Sequence, residues 1–420
     1  MADSILSLLD PRVIALAQTR PTVLVSFRTM SLIHVVLLIV GAAGHTILWV
    51  ALVNRTHALG IHRHWIDGIT NFCGLMFIAV PLLAAAAFSG ILVPPSAWWA
   101  NVASKAFWAY VVICAAICVV AIVQRWSWWR HPERRGTLLA DRTSRVKRAD
   151  SDESLAAPGI WSWLSHLPGN EVLTVCLQEK EIAIPRLSQS HMPLRIVQLS
   201  DLHMSGRIER GYFERVVEMA NAREPDLIAI TGDIVEREKC IDWIPATLGR
   251  LRASGGVYYV LGNHDLNVNV ERLKSVLAEA GLIHVGGVCH EVDIRGAPVL
   301  LAGNELPWFK PASQIAARPA PDASDVPLRI LLAHSPDQFA WARNNDVDLI
   351  LAGHLHGGQV CFPLLGAVMS PSLQGVRYAA GVFTAGNTVM HVSRGTGSLT
   401  PLRYNCPPEV TALHLRAVSK

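Results

Sequence analysis

Three long stretches without a single Asp, Glu, Lys or Arg constrain the fold of the first 125 residues more than any other feature of this sequence. They lie between Arg28 and Arg55, between Asp67 and Lys105, and over residues 106–124. A helix of about 20 apolar residues crosses the hydrocarbon core of a bilayer, and each stretch reaches that length. Buried helices of a large soluble core are the alternative, which the length of the runs argues against. The predicted membrane spans are residues 31–53, 72–94 and 106–124.

The basic residues around these spans favour one orientation. Between the third span and residue 148 the chain carries eight arginines and lysines against two acidic residues. The positive-inside rule then puts the C-terminal part in the cytoplasm. Arg12, Arg20 and Arg28, before the first span, favour the opposite orientation, and a re-entrant span would also reverse it. We predict a multi-pass membrane protein whose C-terminal part faces the cytoplasm.

The remainder of the chain alternates short apolar runs with amphipathic stretches. The predicted strands are residues 194–200, 226–231, 256–262, 298–303, 328–334 and 347–353, and the predicted helices are residues 209–222, 240–253 and 269–281. Strands that alternate with helices predict an α/β domain with a largely parallel sheet. We therefore predict a membrane domain over residues 1–128, a polar and basic linker over 129–170, and an α/β domain over 171–420.

Side chains that can bind metal ions follow five of the predicted strands. They are Asp201 with His203, Asp233, Asn263 with His264, His334, and His354 with His356. Sites in open α/β sheets form at the carboxyl ends of the strands, so we expect these side chains to converge. In an extended chain, residues two apart point to the same side, which would direct both members of each i, i+2 pair into one cavity.

The chemistry of this set indicates divalent ions. Without His264 it comprises two aspartates, one asparagine and four histidines, which suit Mn, Fe, Zn or Co. Seven ligands are too many for one ion and match two ions that share a carboxylate. Two such ions about 3.5–4 Å apart hold a phosphoryl group and activate a hydroxide for in-line displacement. The eight cysteines include no CxxC pair, which argues against a zinc–thiolate cluster.

The motifs SDLH, TGD, GNHD, AHSPD and GHLHGGQ resemble those of the calcineurin-like metallophosphoesterases, and the resemblance covers residues 171–420. GHLHGGQ and the ending SRGTG…PLRYNCPPEV are similar to those of membrane-associated bacterial phosphoesterases with N-terminal transmembrane segments. The resemblance implies a four-layer αββα sandwich with a dinuclear metal centre. Here an all-α transmembrane domain of about three helices would precede that sandwich.

The resemblance also implies a role for each motif residue. The implied ligands are Asp201, His203 and His356 for the first ion, Asn263, His334 and His354 for the second, and Asp233 for both. His264 would stabilise the phosphoryl oxygens or protonate the leaving group, steadied by Asp265. Gln359, Arg377 and Arg394 are candidates for substrate contact, with loop packing or surface salt bridges as the alternative.

These features predict a membrane-anchored, two-metal phosphoesterase that hydrolyses a phosphodiester or pyrophosphate bond with metal-activated hydroxide. We expect a lipid-linked substrate, because the anchor concentrates the site at the bilayer. The alternative is a soluble nucleotide or a phosphoprotein, with the spans acting as a sensor or partner-binding module. The lipid bilayer is the expected partner, no nucleic-acid partner is predicted, and the native metals and oligomeric state stay open.

Overall fold

The computed structural model describes residues 31–88, 97–130, 137–145, 155–187, 194–318 and 326–418. Arg12, Arg20 and Arg28 lie outside the described residues, as do residues 89–94 of the second predicted span and 131–136 and 146–154 of the predicted linker. The chain divides into two compact units. One comprises Met1–Leu52 and Gly68–Trp126, and the other comprises Val53–Asp67 and Ser127–Lys420.

Three long helices account for the predicted spans. They are α1 (Leu32–His57), α2 (Arg63–Phe88) and α3 (Ala97–Arg130). Each contains a stretch long and apolar enough to cross a membrane, which confirms the prediction of three such helices. The second helix begins at Arg63, earlier than the predicted span.

Close packing between α1 and α3 depends on small residues. A Cβ atom on Gly44 would overlap the carbonyl oxygen of Cys114. Small side chains let apolar helices approach closely where no hydrophobic effect drives them together. Nearby, His45 Nδ1 and Tyr110 Oη lie 2.6 Å apart, so a hydrogen bond joins the same two helices.

The second unit contains two large β-sheets. The strands are β1 (Leu138–Arg145), β2 (Cys176–Ile184), β3 (Leu194–Leu199), β4 (Leu227–Thr231), β5 (Val257–Val260), β6 (Ile283–His284), β7 (Cys289–Ile294), β8 (Ala297–Asn304), β9 (Leu328–Ala333), β10 (Leu349–Ala352), β11 (Cys361–Phe362), β12 (Gly366–Ala367), β13 (Gly381–Ala385), β14 (Thr388–Val392) and β15 (Glu409–Ala417). The first sheet has seven strands in the order β1-β2-β15-β3-β4-β5-β6, and the second has six in the order β13-β14-β10-β9-β8-β7. The short strands β11 and β12 form a separate hairpin.

Buried apolar side chains arrange this unit in four layers. One cluster fills the space between the sheets, with Ile196 from the first and Ile330 from the second. Another lies between the first sheet and two helices, and a third lies on the outer face of the second sheet. The helices are α4 (Ile160–Ser165), α5 (Arg210–Asn221), α6 (Val270–Glu279) and α7 (Phe339–Asn344). The predicted αββα sandwich is confirmed.

Two local predictions need correction. Part of the expected linker, Leu138–Arg145, is an edge strand paired with β2, and Lys180 Nζ donates to Asp141 Oδ2 at 2.9 Å. Edge strands tolerate charged side chains, so this strand lacks the apolar pattern by which buried strands are recognised. The expected helix over residues 240–253 is replaced by short 3₁₀ turns, because Pro245 and Gly249 interrupt it.

The strands that precede the predicted ligands are parallel neighbours. β3 pairs with β4 and β4 with β5 in the first sheet, and β9 pairs with β10 in the second. Their carboxyl ends therefore open at one edge of each sheet, where the loops that carry the motifs begin.

Candidate metal centre

The loops after β3, β4, β5, β9 and β10 bring the predicted ligands together in two groups. The first contains Asp201, His203, Asp233 and His356, and the second contains Asp233, His334 and His354. Within each group the possible ligand atoms lie within 4.8 Å of one another. Hydrogen bonds from the backbone N–H of His354 to both carboxylate oxygens of Asp201, at 2.9 and 3.0 Å, join the two sheets here.

Distances in the first group match ligands that surround one ion. His203 Nε2 lies 3.0 Å from His356 Nε2 and 3.5 Å from Asp233 Oδ2. His356 Nε2 lies 3.5 Å from Asp201 Oδ1. Donor atoms each about 2.0–2.2 Å from a shared ion are separated by about 3–3.6 Å. These donors are spaced as a divalent ion requires.

The second group has the same spacing and shares an atom with the first. His334 Nε2 lies 3.2 Å from Asp233 Oδ2, 3.0 Å from His354 Nδ1 and 3.2 Å from Asn263 Oδ1. The oxygen Asp233 Oδ2 thus faces both groups. One carboxylate oxygen between two donor sets is the arrangement expected of a bridging ligand.

The backbone turns at these residues in a way that the sequence did not predict. Asp201, His203, Asp233, His354 and His356 all have positive φ, between 46° and 71°. Both residues of each i, i+2 pair therefore have left-handed backbone, so the expectation of an extended chain at these pairs is wrong. Left-handed φ in residues other than glycine costs about 1–3 kcal/mol each and concentrates at functional sites.

Two glycines make room for the ligands. A Cβ atom on Gly262 would overlap Asp233 Oδ1 and lie 2.7 Å from His334 Cε1. A Cβ atom on Gly353 would overlap the hydroxyl of Ser200. The GNHD and GHLH motifs need glycine at these positions for space.

Burial and charge favour the metal-binding protonation states of His354, His356 and Asp233. Burial, together with the neighbouring cationic side chains, lowers the pKa of His354 and His356 well below the ordinary value, which keeps both imidazoles neutral. Burial opposes ionisation of Asp233, but His334 and its neighbours outweigh it and hold the pKa of this carboxyl well below its usual range. Burial raises the pKa of Asp201, and an adjacent divalent ion would counter that shift. Burial would lower the pKa of His334, but Asp233 and the other nearby acceptors raise it to about 9, so this imidazole would release a proton on binding an ion. Imidazoles, an amide oxygen and carboxylates form a donor set that fits divalent ions.

The expected contact between Asp265 and His264 is corrected. Asp265 Oδ1 accepts hydrogen bonds from the backbone N–H groups of Ile234 and Val235, both at 2.9 Å. Asp265 Oδ2 accepts another from Gly262 at 2.8 Å. The 3₁₀ turn Asn263–Asn267 directs this carboxylate back into the protein, where it fixes the loops after β4 and β5.

Glu236 takes the place expected for Asp265. His264 Nδ1 lies 2.7 Å from Glu236 Oε2, and His203 Nδ1 lies 3.5 Å from the same oxygen. Burial would raise the pKa of Glu236, but the adjacent His203 and His264 lower it to about 2. Burial would lower the pKa of His264, but Asp233 and Glu236 raise it. The signal that could have identified Glu236 is its position three residues after Asp233 in TGDIVE.

The domain that carries these donor groups is similar in sequence to known phosphoesterases. Residues 194–358 match the family described as calcineurin-like phosphoesterase. The chain is 32% identical over 228 residues to phosphodiesterase YaeI of Escherichia coli (strain K12). The aligned region covers 53% of this chain and 82% of that protein. This chain belongs to the calcineurin-like metallophosphoesterase family. The metallophosphoesterase is therefore a metal-dependent phosphoric ester hydrolase.

Two further relatives extend the comparison. The metallophosphoesterase is 30% identical over 238 residues to the uncharacterized metallophosphoesterase YkuE of Bacillus subtilis (strain 168), covering 54% of this chain and 80% of that one. It is 29% identical over 336 residues to a protein of Bos taurus named transmembrane protein with metallophosphoesterase domain, covering 74% and 72% of the two chains. The second likeness is consistent with association of this metallophosphoesterase with a membrane.

The residues predicted to contact substrate lie in different surroundings. Arg394 Nε donates to Glu409 Oε2 at 2.6 Å, and this largely buried ion pair favours a structural role over substrate contact. The guanidinium of Arg377 lies 5.0 Å from the centre of the Tyr378 ring. The backbone N–H of Gln359 donates to the carbonyl oxygen of His356 at 3.0 Å, which keeps Gln359 next to a predicted ligand. Substrate contact by Gln359 and Arg377 stays a prediction.

Trp308 is a site residue that the sequence did not reveal. Its ring centre lies 4.8 Å from that of His354 and 5.4 Å from that of His334. The indole therefore forms a wall beside the second group of donors in this metallophosphoesterase. No short motif surrounds this tryptophan, so only the tertiary structure identifies it.

Replacement of Glu236 by glutamine should lower kcat of the metallophosphoesterase by about 10- to 100-fold, as loss of a partner behind ligand residues typically does. The amide would keep the shape of the side chain but remove the charge that holds His264 and His203. Turnover of a dialkyl phosphodiester with Mn²⁺, whose leaving oxygen needs a proton, measures the effect. Glu214→Gln, at a partly exposed ion pair with Arg210, is the matched control. Unchanged kcat in Glu236→Gln would contradict this role for Glu236.

Proposed function

We propose that this metallophosphoesterase hydrolyses a phosphodiester or pyrophosphate bond of a lipid-linked substrate at a bilayer surface. The observation that carries the proposal is a set of contacts made by residues 53–67, the segment in which α1 ends and α2 begins. This segment belongs to the same compact unit as the candidate metal centre.

The contacts of this segment reach the side chains around His264. Arg63 Nη1 donates a hydrogen bond to Asn267 Oδ1 at 2.7 Å. Asn267 Nδ2 in turn donates to Glu236 Oε1 at 3.0 Å and lies 3.5 Å from His264 Nδ1. Two hydrogen bonds therefore link Arg63 to the carboxylate that holds His264.

A second contact lies beside Trp308. A Cβ atom on Gly60 would be 2.7 Å from the carbonyl oxygen of Pro307, so the two backbones touch. The helices on either side of this segment are long and apolar enough to cross a membrane. Their insertion would hold the segment at the bilayer surface. These contacts support an active site that lies close to lipid headgroups.

The spacing of the donor groups supports a proposed role for each side chain in the reaction. We propose that Asp201, His203 and His356 hold one ion, that Asn263, His334 and His354 hold the other, and that Asp233 contacts both. When bound, two divalent ions would polarise the phosphoryl oxygens and lower the pKa of a water molecule. Glu236 holds His264 by Nδ1, which leaves Nε2 free to donate a proton to the leaving oxygen.

The test uses the full chain in vesicles of phosphatidylethanolamine and phosphatidylglycerol with Mn²⁺. We expect turnover of a phosphodiester carried on a diacylglycerol anchor in the same vesicles, as well as turnover of a soluble aryl phosphodiester. Hydrolysis of the soluble compound alone would overturn the lipid-linked substrate. It would favour a soluble nucleotide or a phosphoprotein.

Replacement of Arg63 by alanine should lower kcat/KM for the vesicle-borne phosphodiester by about tenfold. The physical reason is the loss of a cation near the anionic headgroup, which contributes about 1 kcal/mol at a membrane surface, together with the loss of its hydrogen bond to Asn267. The control is Arg210→Ala, an exposed arginine of the same unit that pairs with Glu214. Equal kcat/KM in the two variants would contradict a role for Arg63.

The domain division and the sidedness are also proposals. We propose a membrane domain over residues 1–128 and a catalytic domain over 171–420, amended by the grouping of Val53–Asp67 with the catalytic unit. The basic residues after α3 support a cytoplasmic catalytic domain. Protease added to inverted membrane vesicles should then digest the catalytic domain, and protection there would reverse the orientation.

A further inference from the structure

An exposed apolar hairpin follows the loop that carries His354 and His356. Its strands β11 and β12 pair antiparallel, with Cys361 opposite Ala367 and Phe362 opposite Gly366. The turn between them is Pro363-Leu364-Leu365. Leu364 is 94% exposed and Leu365 is 57% exposed. The hairpin thus presents its largest apolar side chains to its surroundings.

The conformation of the turn makes these leucines unusual. Leu364 has φ of 65°, in the left-handed region where turns usually carry glycine or asparagine. A leucine there is strained, and within this unit it gains almost no burial in return. Exposed apolar clusters on soluble surfaces commonly mark interaction sites. The hairpin therefore has the features of a contact surface.

The sequence around the hairpin lacks charge. Between His356 and Arg377 there is no Asp, Glu, Lys or Arg. Met369 and Leu373, which follow the hairpin, are also exposed. A surface that meets a protein partner usually has a polar rim, whereas insertion into lipid selects against charge. The composition favours lipid as the occupant.

The base of the hairpin is fixed to the candidate metal centre. The backbone N–H of Cys361 donates to the carbonyl oxygen of Tyr404 at 2.9 Å, and Cys361 Sγ donates to the carbonyl oxygen of Gly357 at 3.3 Å. Gly358 packs against Ala367, whose Cβ would be 2.6 Å from a Cβ atom on that glycine. The hairpin cannot move far without displacing the loop that carries His356.

A further contact ties this region to the segment between the first two apolar helices. The backbone N–H of Ser370 donates to Asn54 Oδ1 at 3.0 Å, and both residues are buried. Asn54 belongs to the segment that α1 and α2 would hold at the bilayer surface. The hairpin is therefore fixed to a part of the chain that insertion of those helices would bring to lipid.

We propose that the hairpin Cys361–Ala367 inserts Phe362, Leu364 and Leu365 into the interfacial layer of the bilayer beside the active site. A phosphoester on a lipid anchor could then reach the metal centre without leaving the membrane surface. The inference rests on the membrane anchoring in the proposed function, and goes beyond it by naming a second membrane contact. The occupant to which it commits is a lipid surface.

The first test places a probe on the hairpin. The variant Leu364→Cys of the full chain is labelled with an environment-sensitive fluorophore and reconstituted in vesicles of phosphatidylethanolamine and phosphatidylglycerol. The signal of the labelled unmodified chain, which comes from the native cysteines, is subtracted as background. Ile39→Cys, on an exposed face of α1, is the lipid control. Val418→Cys is the water control. Val418 follows the last residues of β15, which pair with Leu194 at the start of β3. This end of β3 is opposite to the end that carries Asp201.

We expect a blue shift, and quenching by brominated lipids, for probes at Leu364 and Ile39 but not at Val418. A probe at Leu364 that stays in water while the one at Ile39 lies in lipid overturns the hairpin proposal and leaves the anchoring intact. Probes in water at both positions overturn the anchoring itself. A blue shift at Leu364 in detergent that grows with protein concentration means that a second copy covers the hairpin, which also overturns the proposal.

The second test measures turnover. The double variant Leu364→Asp with Leu365→Asp changes only exposed turn residues, so the fold should persist. Turnover of the vesicle-borne phosphodiester should fall by at least about tenfold, since burial of one leucine corresponds to roughly one to two factors of ten in an equilibrium constant. Turnover of a soluble aryl phosphodiester should stay within about twofold of the unmodified chain. An equal loss with both substrates would instead indicate damage to the metal centre, and an unchanged rate with both would exclude a function in lipid contact.

Discussion

Replacement of Asp233 by alanine is expected to lower phosphodiester turnover by at least about 10³-fold, because metal ions supply several kcal/mol of transition-state stabilisation and each 1.36 kcal/mol is tenfold in rate. The carboxylate is buried, and its Oδ2 lies 3.2 Å from His334 Nε2 and 3.5 Å from His203 Nε2. Its removal would therefore weaken both groups of donors at once. The measurements are turnover of an aryl phosphodiester with Mn²⁺ and the metal content of the purified full chain.

The variant Asp233→Asn distinguishes the effect of losing the negative charge from the effect of disturbing the local structure. Asp233 Oδ1 also accepts a hydrogen bond from the backbone N–H of His264 at 2.8 Å, so alanine could disturb the loop after β5. An asparagine keeps the size and that acceptor while it removes the negative charge. Asp242→Asn, at an exposed ion pair with Arg272, is the matched control. Full activity in Asp233→Asn, with two ions still bound per chain, would contradict the bridging role.

Much of the site could be predicted because each ligand follows directly after a buried strand. Asp201, Asp233 and His334 come within two residues of the last residue of β3, β4 and β9. Parallel strands end at a common edge of the sheet, so residues that directly follow such strands in the sequence can be predicted to lie close together in the fold. The alternation of strands with helices predicted only an α/β domain with a largely parallel sheet, whereas the four αββα layers were implied by the resemblance of the motifs to the family.

The remaining features depend on geometry that local pattern does not encode. Whether Asp265 or Glu236 contacts His264 is decided by a 3₁₀ turn, which directs Asp265 to backbone N–H groups. The contact of Arg63 with Asn267 joins residues 204 positions apart, and no periodicity predicts such a pair. Trp308 lies in no motif and reaches the histidines only through the path of its loop. Short-range rules fix the order of the elements, whereas these contacts depend on how the loops pack.

Replacement of His264 by glutamine should have an effect that depends on the leaving group. A general acid contributes about 10²- to 10⁴-fold when the leaving oxygen needs a proton, and much less when it does not. We therefore expect a loss in that range for a dialkyl phosphodiester and only about a tenfold loss for a p-nitrophenyl ester, whose phenolate leaves without protonation. The measurement is the ratio of the two kcat values in the variant and in the unmodified chain.

A purely structural role for His264 would give a different result, because loss of packing or of metal would slow both substrates by the same factor. Glu236 is the discriminating partner, since its carboxylate lies 2.7 Å from His264 Nδ1 and positions the ring rather than the substrate. Glu236→Gln should therefore move the same ratio in the same direction but by less. His414→Gln, on β15, is the control and should leave the ratio unchanged. A ratio that stays constant in His264→Gln would assign the proton to another donor and leave His264 to stabilise the phosphoryl oxygens, which is the alternative role that its motif implies.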